Sequence, residues 1–363
     1  MAGRMITINS YMSKPMSCRY VLVNALLGVC MAASAVDNQA GTDTIPMPTK
    51  ECFLGALAND ADVNRLVLTV KTNYGFIGKL GKEKTEKARA ALLRIAYGEI
   101  GDHYVINAAS WFRMSLEDKC LARPLLVADN PEVCDCGLGA TKGCHVDGQL
   151  FALLKRCLCL DSALTRHNAA WVLAASTDDG LSKAKAELIL ESMKTTLATK
   201  DSKRKITFGT EMAYQNIWPI GEYSLSEQAK LLGKLPGIAS ETLRLAAPNE
   251  DGPVRNYMTL ARAYAGDNGV KNDVKRLLKE SQSERLRLCA VEAFAALANK
   301  DDIPFLQTIA ETDPSHREAV AGHYQESDAR VVDGETVVFP VRMAAGEVVK
   351  SLRQLSSIGE LHP

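Results

Sequence analysis

The chain has 363 residues, with 43 Lys plus Arg balanced by 43 Asp plus Glu and only 6% aromatic residues. That balance, with no basic stretch interleaved with aromatics, excludes a nucleic-acid partner held through its phosphates. The length is enough to bury a core without staples, and Ala, Leu, Lys, Glu and Arg among few aromatics favour helix over sheet.

The first 36 residues contain no acid, and Arg4, Lys14 and Arg19 precede an apolar run from Tyr20 to Ala35. The run is short for a membrane span, and Ala33-Ser34-Ala35 supplies the small residues a signal peptidase needs. Residues 1–35 are therefore expected to be a signal peptide. A buried N-terminal helix or a short anchor is the competing reading. Cleavage after Ala35 leaves 40 basic and 43 acidic residues, so the mature chain is mildly acidic, has no membrane span and is expected to be secreted or periplasmic. Residues 36–50, with Gly, Pro, Thr and Asp in no period, read as a linker.

From residue 51 onward the chain breaks into helix-length segments separated by Gly, Pro, Asn and Asp. Gly75, Gly78 and Gly81 have the wrong spacing for a phosphate loop, and Glu83 stands where a Ser or Thr is required, so 75–82 reads as a turn between helices. His103-Tyr104 and His323-Tyr324 are acid–base candidates only if they line a cleft. Glycines make Cys134 to His145 read as an irregular loop, flanked by Cys120 on one side and by Cys157 and Cys159 on the other. In an exported chain the first expectation for it is a disulfide joining Cys144 to Cys134 or Cys136. A metal site from Cys134, Cys136, Cys144 and His145 has suitable ligands, although neither Cys-x-Cys nor Cys-His has the usual separation. A helix is expected over 150–160, with Cys157 and Cys159 on opposite sides. Tyr214, Trp218 and Tyr223 gather around a Pro and a Gly, either as a binding platform or as a plug of the core.

The clearest repeated unit begins at Ser283. Ala290, Ala293, Phe294 and Leu297 fall on one helical face, and Phe305, Leu306, Ile309 and Ala310 form a second stripe. Asp301 and Asp302 are expected to cap that second helix, with Pro304 in its first turn. This unit resembles the HEAT-like repeat, in particular the short variety of the phycobilisome lyases, with its Arg, spaced alanines and following Asp. A cation followed at +3 and +6 by small or apolar residues recurs at Lys87, Arg166, Arg255, Arg287 and Arg342, the expected repeat anchors. The resemblance is clearest over 251–357 and extends toward residue 51. It implies an all-α fold, an α-solenoid of antiparallel helix pairs, and a pairing of Arg287 with an aspartate in an adjacent turn, here Asp267. Pairs with one apolar stripe per helix must stack to share a core. Val331 to Phe339 interrupts the rhythm with two β-branched runs around Asp333-Gly334, a small inserted β-hairpin.

No His-Glu-x-x-His, Gly-x-Ser-x-Gly or His-Glu dyad occurs, so no cofactor is expected. The architecture points to a non-catalytic scaffold for a protein or peptide. Two alternatives remain: an enzyme, either a lyase-like HEAT relative or an α/α-toroid acting on a polymer, and a metal- or redox-responsive module built on 134–145.

Overall fold

The computed structural model describes residues 47–175, 182–207, 217–235, 243, 252–319 and 329–359. Tyr214, His323, Tyr324 and the leader lie outside them. Helices come in chain order as α1 (Lys50–Leu54), α2 (Ala61–Thr72), α3 (Phe76–Glu83), α4 (Glu86–Ala96) and α5 (Asp102–Ser115). A 3-10 segment, Lys119–Val127, leads into α6 (Pro131–Thr141), α7 (Gly148–Leu158), α8 (Ala163–Ala175) and α9 (Ser182–Thr196). Then follow α10 (Ile220–Gly233), α11 (Pro253–Tyr264), α12 (Lys271–Glu280), α13 (Glu284–Phe294), α14 (Ile303–Thr312) and α15 (Pro340–Gly359). No helix among the described residues is long and apolar enough to cross a membrane.

The fold is the expected α-solenoid. One layer runs without a break, α4 against α5, α5 against α6, then α6, α8, α10, α11, α13 and α15, each on the next. Behind it α7 packs on α8, α9 on α8 and α10, α12 on α11 and α13, and α14 on α15. A single apolar cluster runs from Phe53 to Val349, so no pair hides its stripe alone. Phe294 is fully buried and meets Phe305 edge-on at 5.8 Å, while Lys271 and Lys275 of α12 lie over these rings. Both ammoniums also reach Asp302, at 2.6 and 2.7 Å. Asp302 therefore has a different task from the capping expected of it. Asn299 caps the short 3-10 turn before α14, and Asp302 closes that capping box.

A three-way junction recurs at the helix starts. Thr85, Ser162 and Ser283 each accept a hydrogen bond from the backbone N–H three residues on. Four residues after each stands an arginine, and each of these bonds the residue 26 positions further, at or near the end of the following helix. Arg89 donates to the Ser115 carbonyl at 2.8 Å, Arg166 to that of Ser192 at 3.3 Å, and Arg287 to the Asp313 carboxylate at 2.8 Å. Arg166 and Arg287 also reach back six residues, to the carbonyls of Leu160 and Ser281. Arg342 bonds the Asp313 carbonyl, and in the α6–α7 pair Arg156 comes from the second helix to the Leu126 carbonyl.

Three expectations are corrected here. Arg89, not Lys87, is the junction residue of α4; Lys87 pairs at the surface with Asp60 and Asp62. Arg255 is exposed and makes no such bridge. Arg287 pairs with Asp313, whereas Asp267 belongs to Arg262 at 2.7 Å. The cause is geometric, because a buried guanidinium reaches a helix end, and chain spacing alone does not say which end lies nearest.

Glycines that suggest a turn at 75–82 and a loop at 134–145 serve instead for close contact within helices. Gly78 and Gly81 lie within α3, and a Cβ on Gly81 would come within 2.4 Å of Trp111. Gly137 lies within α6, where a Cβ would meet Leu125 and Leu126 at 2.9 Å. Residues 76–82 and most of 134–145 are therefore helical. The inserted hairpin forms as read, β4 (Ala329–Val332) and β5 (Glu335–Val338) joined by Asp333 and Gly334, both at positive φ. A strand that the sequence did not announce, β3 (Arg317–Glu318), completes the sheet against β5, and a second small sheet pairs β1 (Lys205–Thr207) with β2 (Ile217–Pro219).

Candidate binding face and cysteine cluster

The described part of the aromatic group divides. Trp218 is buried and lies beneath two guanidinium groups, Arg317 at 3.9 Å and Arg285 at 5.5 Å, so it belongs to the core and not to a platform. Tyr223 stays half-buried on α10, stacked under Arg285 and edge-on to His167 of α8 at 5.2 Å.

Tyr223 belongs to a longer row. On α6 the residues Asp135, Cys136 and Gly139, continued by Lys142 at its C-cap, follow helical spacing on one face, as do His167, Asn168 and Trp171 on α8, and Tyr223, Glu227 and Lys230 on α10. These side chains touch across the helices. Lys142 lies 3.8 Å over the Trp171 ring, Asn168 donates to Asp135 at 3.0 Å, and Arg285 of α13 pairs with Glu227 at 2.6 Å. Lys230 reaches Glu292 of α13 at 2.8 Å, and Tyr264 of α11 donates to the same carboxylate at 3.3 Å. The row is polar and aromatic, crosses five successive helices and is open to solvent at Lys142, Glu292 and the half-buried rings.

Burial raises the Asp135 carboxyl to about 6, against the opposing hydrogen bonds from Asn168 and Thr165. The folded chain therefore binds this proton more tightly than the unfolded one, and the stability so gained is full below about pH 4 and lost as pH rises through 6. Asp135→Asn is expected to stabilise the protein by about 1–2 kcal/mol at pH 7 and by nothing at pH 4, read from urea unfolding at the two pH values. His167 works in the opposite direction. Burial pushes it down to about 4, so its contribution is present above about pH 6.5 and is lost as pH falls toward 4.

The cysteine region contains a disulfide, but not the expected one. Cys144 is bonded to Cys120, which ties the start of the 3-10 segment to the end of α6. Cys134 points the other way, into the core, and donates to the Ala128 carbonyl at 3.2 Å. Cys157 donates to the same Leu126 carbonyl that Arg156 engages. A hydrogen bond from Cys157 and the Arg156 guanidinium at 3.9 Å hold the Cys134 thiol below its usual range, while Cys157 is raised. Cys136 faces Ser110 at 4.0 Å, and His145 is exposed. Cys134, Cys136, Cys144 and His145 therefore do not converge, and among the described residues no group of three or more His, Cys, Asp and Glu is placed to hold a metal. Of Cys157 and Cys159, expected on opposite sides of one helix, Cys157 is buried and Cys159 exposed. His103 is exposed beside Tyr104, whose buried ring reaches the Lys71 carbonyl.

Comparison with protein-family models, with curated proteins and with solved structures finds no match. The likeness to HEAT-like repeats rests on this chain's own residues.

Proposed function

We propose that the chain is an exported, non-catalytic scaffold of HEAT-like helix pairs that binds a protein or peptide along the row from α6 to α13. The observation that supports this reading is the row itself: Trp171, Tyr223 and Tyr264 alternate with Lys142, Glu227, Lys230 and Glu292 on one face of consecutive helices. Half-exposed aromatic rings beside charges make good contact surfaces, since the rings bring apolar area at small entropic cost and the charges set register. A stacked array offers many such modest contacts in line.

The test is affinity capture from the native envelope or medium with three tagged forms: the parent, a Trp171→Ala plus Lys142→Glu variant, and Leu68→Ser. Leu68 is an exposed residue of α2, remote from the row. A partner held by the parent and by Leu68→Ser but lost by the double variant supports the reading. Partners retained by all three forms, or a hydrolytic or lyase activity carried by the protein, defeat it.

A further inference from the structure

The α11–α12 pair breaks the junction rule. Its N-cap is Gly252, which has no side chain to offer, and its fourth helical residue is Asn256 where α4, α8 and α13 have arginine. The residue 26 positions on is Gln282, just past the end of α12. At the place where the other pairs bury a guanidinium, this pair has an open hollow of about 340 Å³, lined by Asn256, Arg276, Leu277, Glu280, Ser281 and Gln282. That volume lies in the range of pockets that hold small ligands, about 300–1,000 Å³.

The lining favours a cation. The hollow lies at the C-terminal end of α12, where unpaired carbonyls give the negative pole of the helix. Glu280 adds an exposed carboxylate that forms no ion pair with a described residue. Arg276 is the one cation of the lining, and its charge is met by Asp273 at 3.0 Å. Asn256 and Gln282 offer amide oxygens, and Leu277 gives an apolar wall for an alkyl stem. The Ser281 carbonyl already accepts from Arg287, so Glu280 and the two amides are the acceptors left for a newcomer.

We infer that this hollow is a socket for the guanidinium of an arginine side chain carried by the bound partner, which there takes the place that Arg89, Arg166 and Arg287 fill from within the chain. The inference deepens the scaffold reading and rests on it. Arginine is favoured over lysine because the junction needs a planar fork that serves two acceptors at once, as it does at Arg287 with Asp313 and Ser281.

The experiment titrates the full mature chain with N-acetyl-arginine amide and, separately, with N-acetyl-lysine amide, followed by calorimetry. Saturable binding of the arginine amide is expected, weaker for the lysine amide and weakened about tenfold by Glu280→Gln. Asn256→Arg fills the hollow from inside, so it should abolish binding and raise the unfolding temperature. No saturable binding, equal binding of the two amides, or binding that Asn256→Arg leaves unchanged overturns the socket. If Asn256→Arg fails to fold, the hollow does not accommodate a guanidinium and the proposal falls. The two readings fail separately: socket binding intact without partner capture sinks the scaffold, and the reverse sinks the socket alone.

Discussion

Arg287→Ala is expected to cost about 3–5 kcal/mol of folding stability. Arg287 is nearly buried, as is its partner Asp313, and the pair joins the start of α13 to the ends of α12 and α14. Removing the guanidinium leaves a carboxylate out of water with no counter-charge, along with a helix-end carbonyl that has lost its donor. The same substitution at exposed Arg255 should change stability by no more than about 0.5 kcal/mol. Urea unfolding of the two variants with the parent checks both figures. Asp313→Asn, which keeps the shape and removes the charge, should fall between them.

The second large effect is expected at the Cys120–Cys144 bridge, whose ends are 24 residues apart. On the chain-entropy account a closed loop of that size contributes about 3.5 kcal/mol, and Cys120→Ser with Cys144→Ser should lose about that much. Reductant should lower the unfolding temperature of the parent and leave the double variant unmoved. Cys134→Ser is a useful contrast. It removes no bridge, only a buried thiol that donates to the Ala128 carbonyl, so its effect should be insensitive to reductant. A reductant effect that survives in the double variant contradicts the pairing.

What could be read in the sequence was local. The apolar stripe of α13, the two-residue turn at Asp333-Gly334 and the opposite sides taken by Cys157 and Cys159 depend on helical or strand period alone, and all three are found. What could not be read depends on close approach between distant segments. Gly81 and Gly137 look like turn residues until Trp111 and Leu125 are known to press against them. Cys120 lies outside the glycine-rich stretch that drew attention to the cysteines, and only the antiparallel run of the 3-10 segment beside α6 brings it to Cys144. The junction arginines were within reach. A Ser or Thr four residues before an arginine occurs at 85 and 89, 162 and 166, and 283 and 287, and also at 240 and 244 and at 281 and 285, so the spacing has to be read together with a helix start. It combines a helix cap with the buried cation, and the cap fixes the register that Lys87 and Arg255 missed.

The claim beneath all of this is that the helix pairs stack in chain order as one continuous layer, each on its neighbour, with α10 also reaching α13. Zero-length carbodiimide coupling tests it directly, because it joins a lysine to a carboxylate only when the two are in contact. Peptide mapping should recover Lys50 to Asp129, Lys230 to Glu292, and Lys271 or Lys275 to Asp302. Absence of all these links, with couplings instead between remote pairs such as α4 and α13, would contradict it.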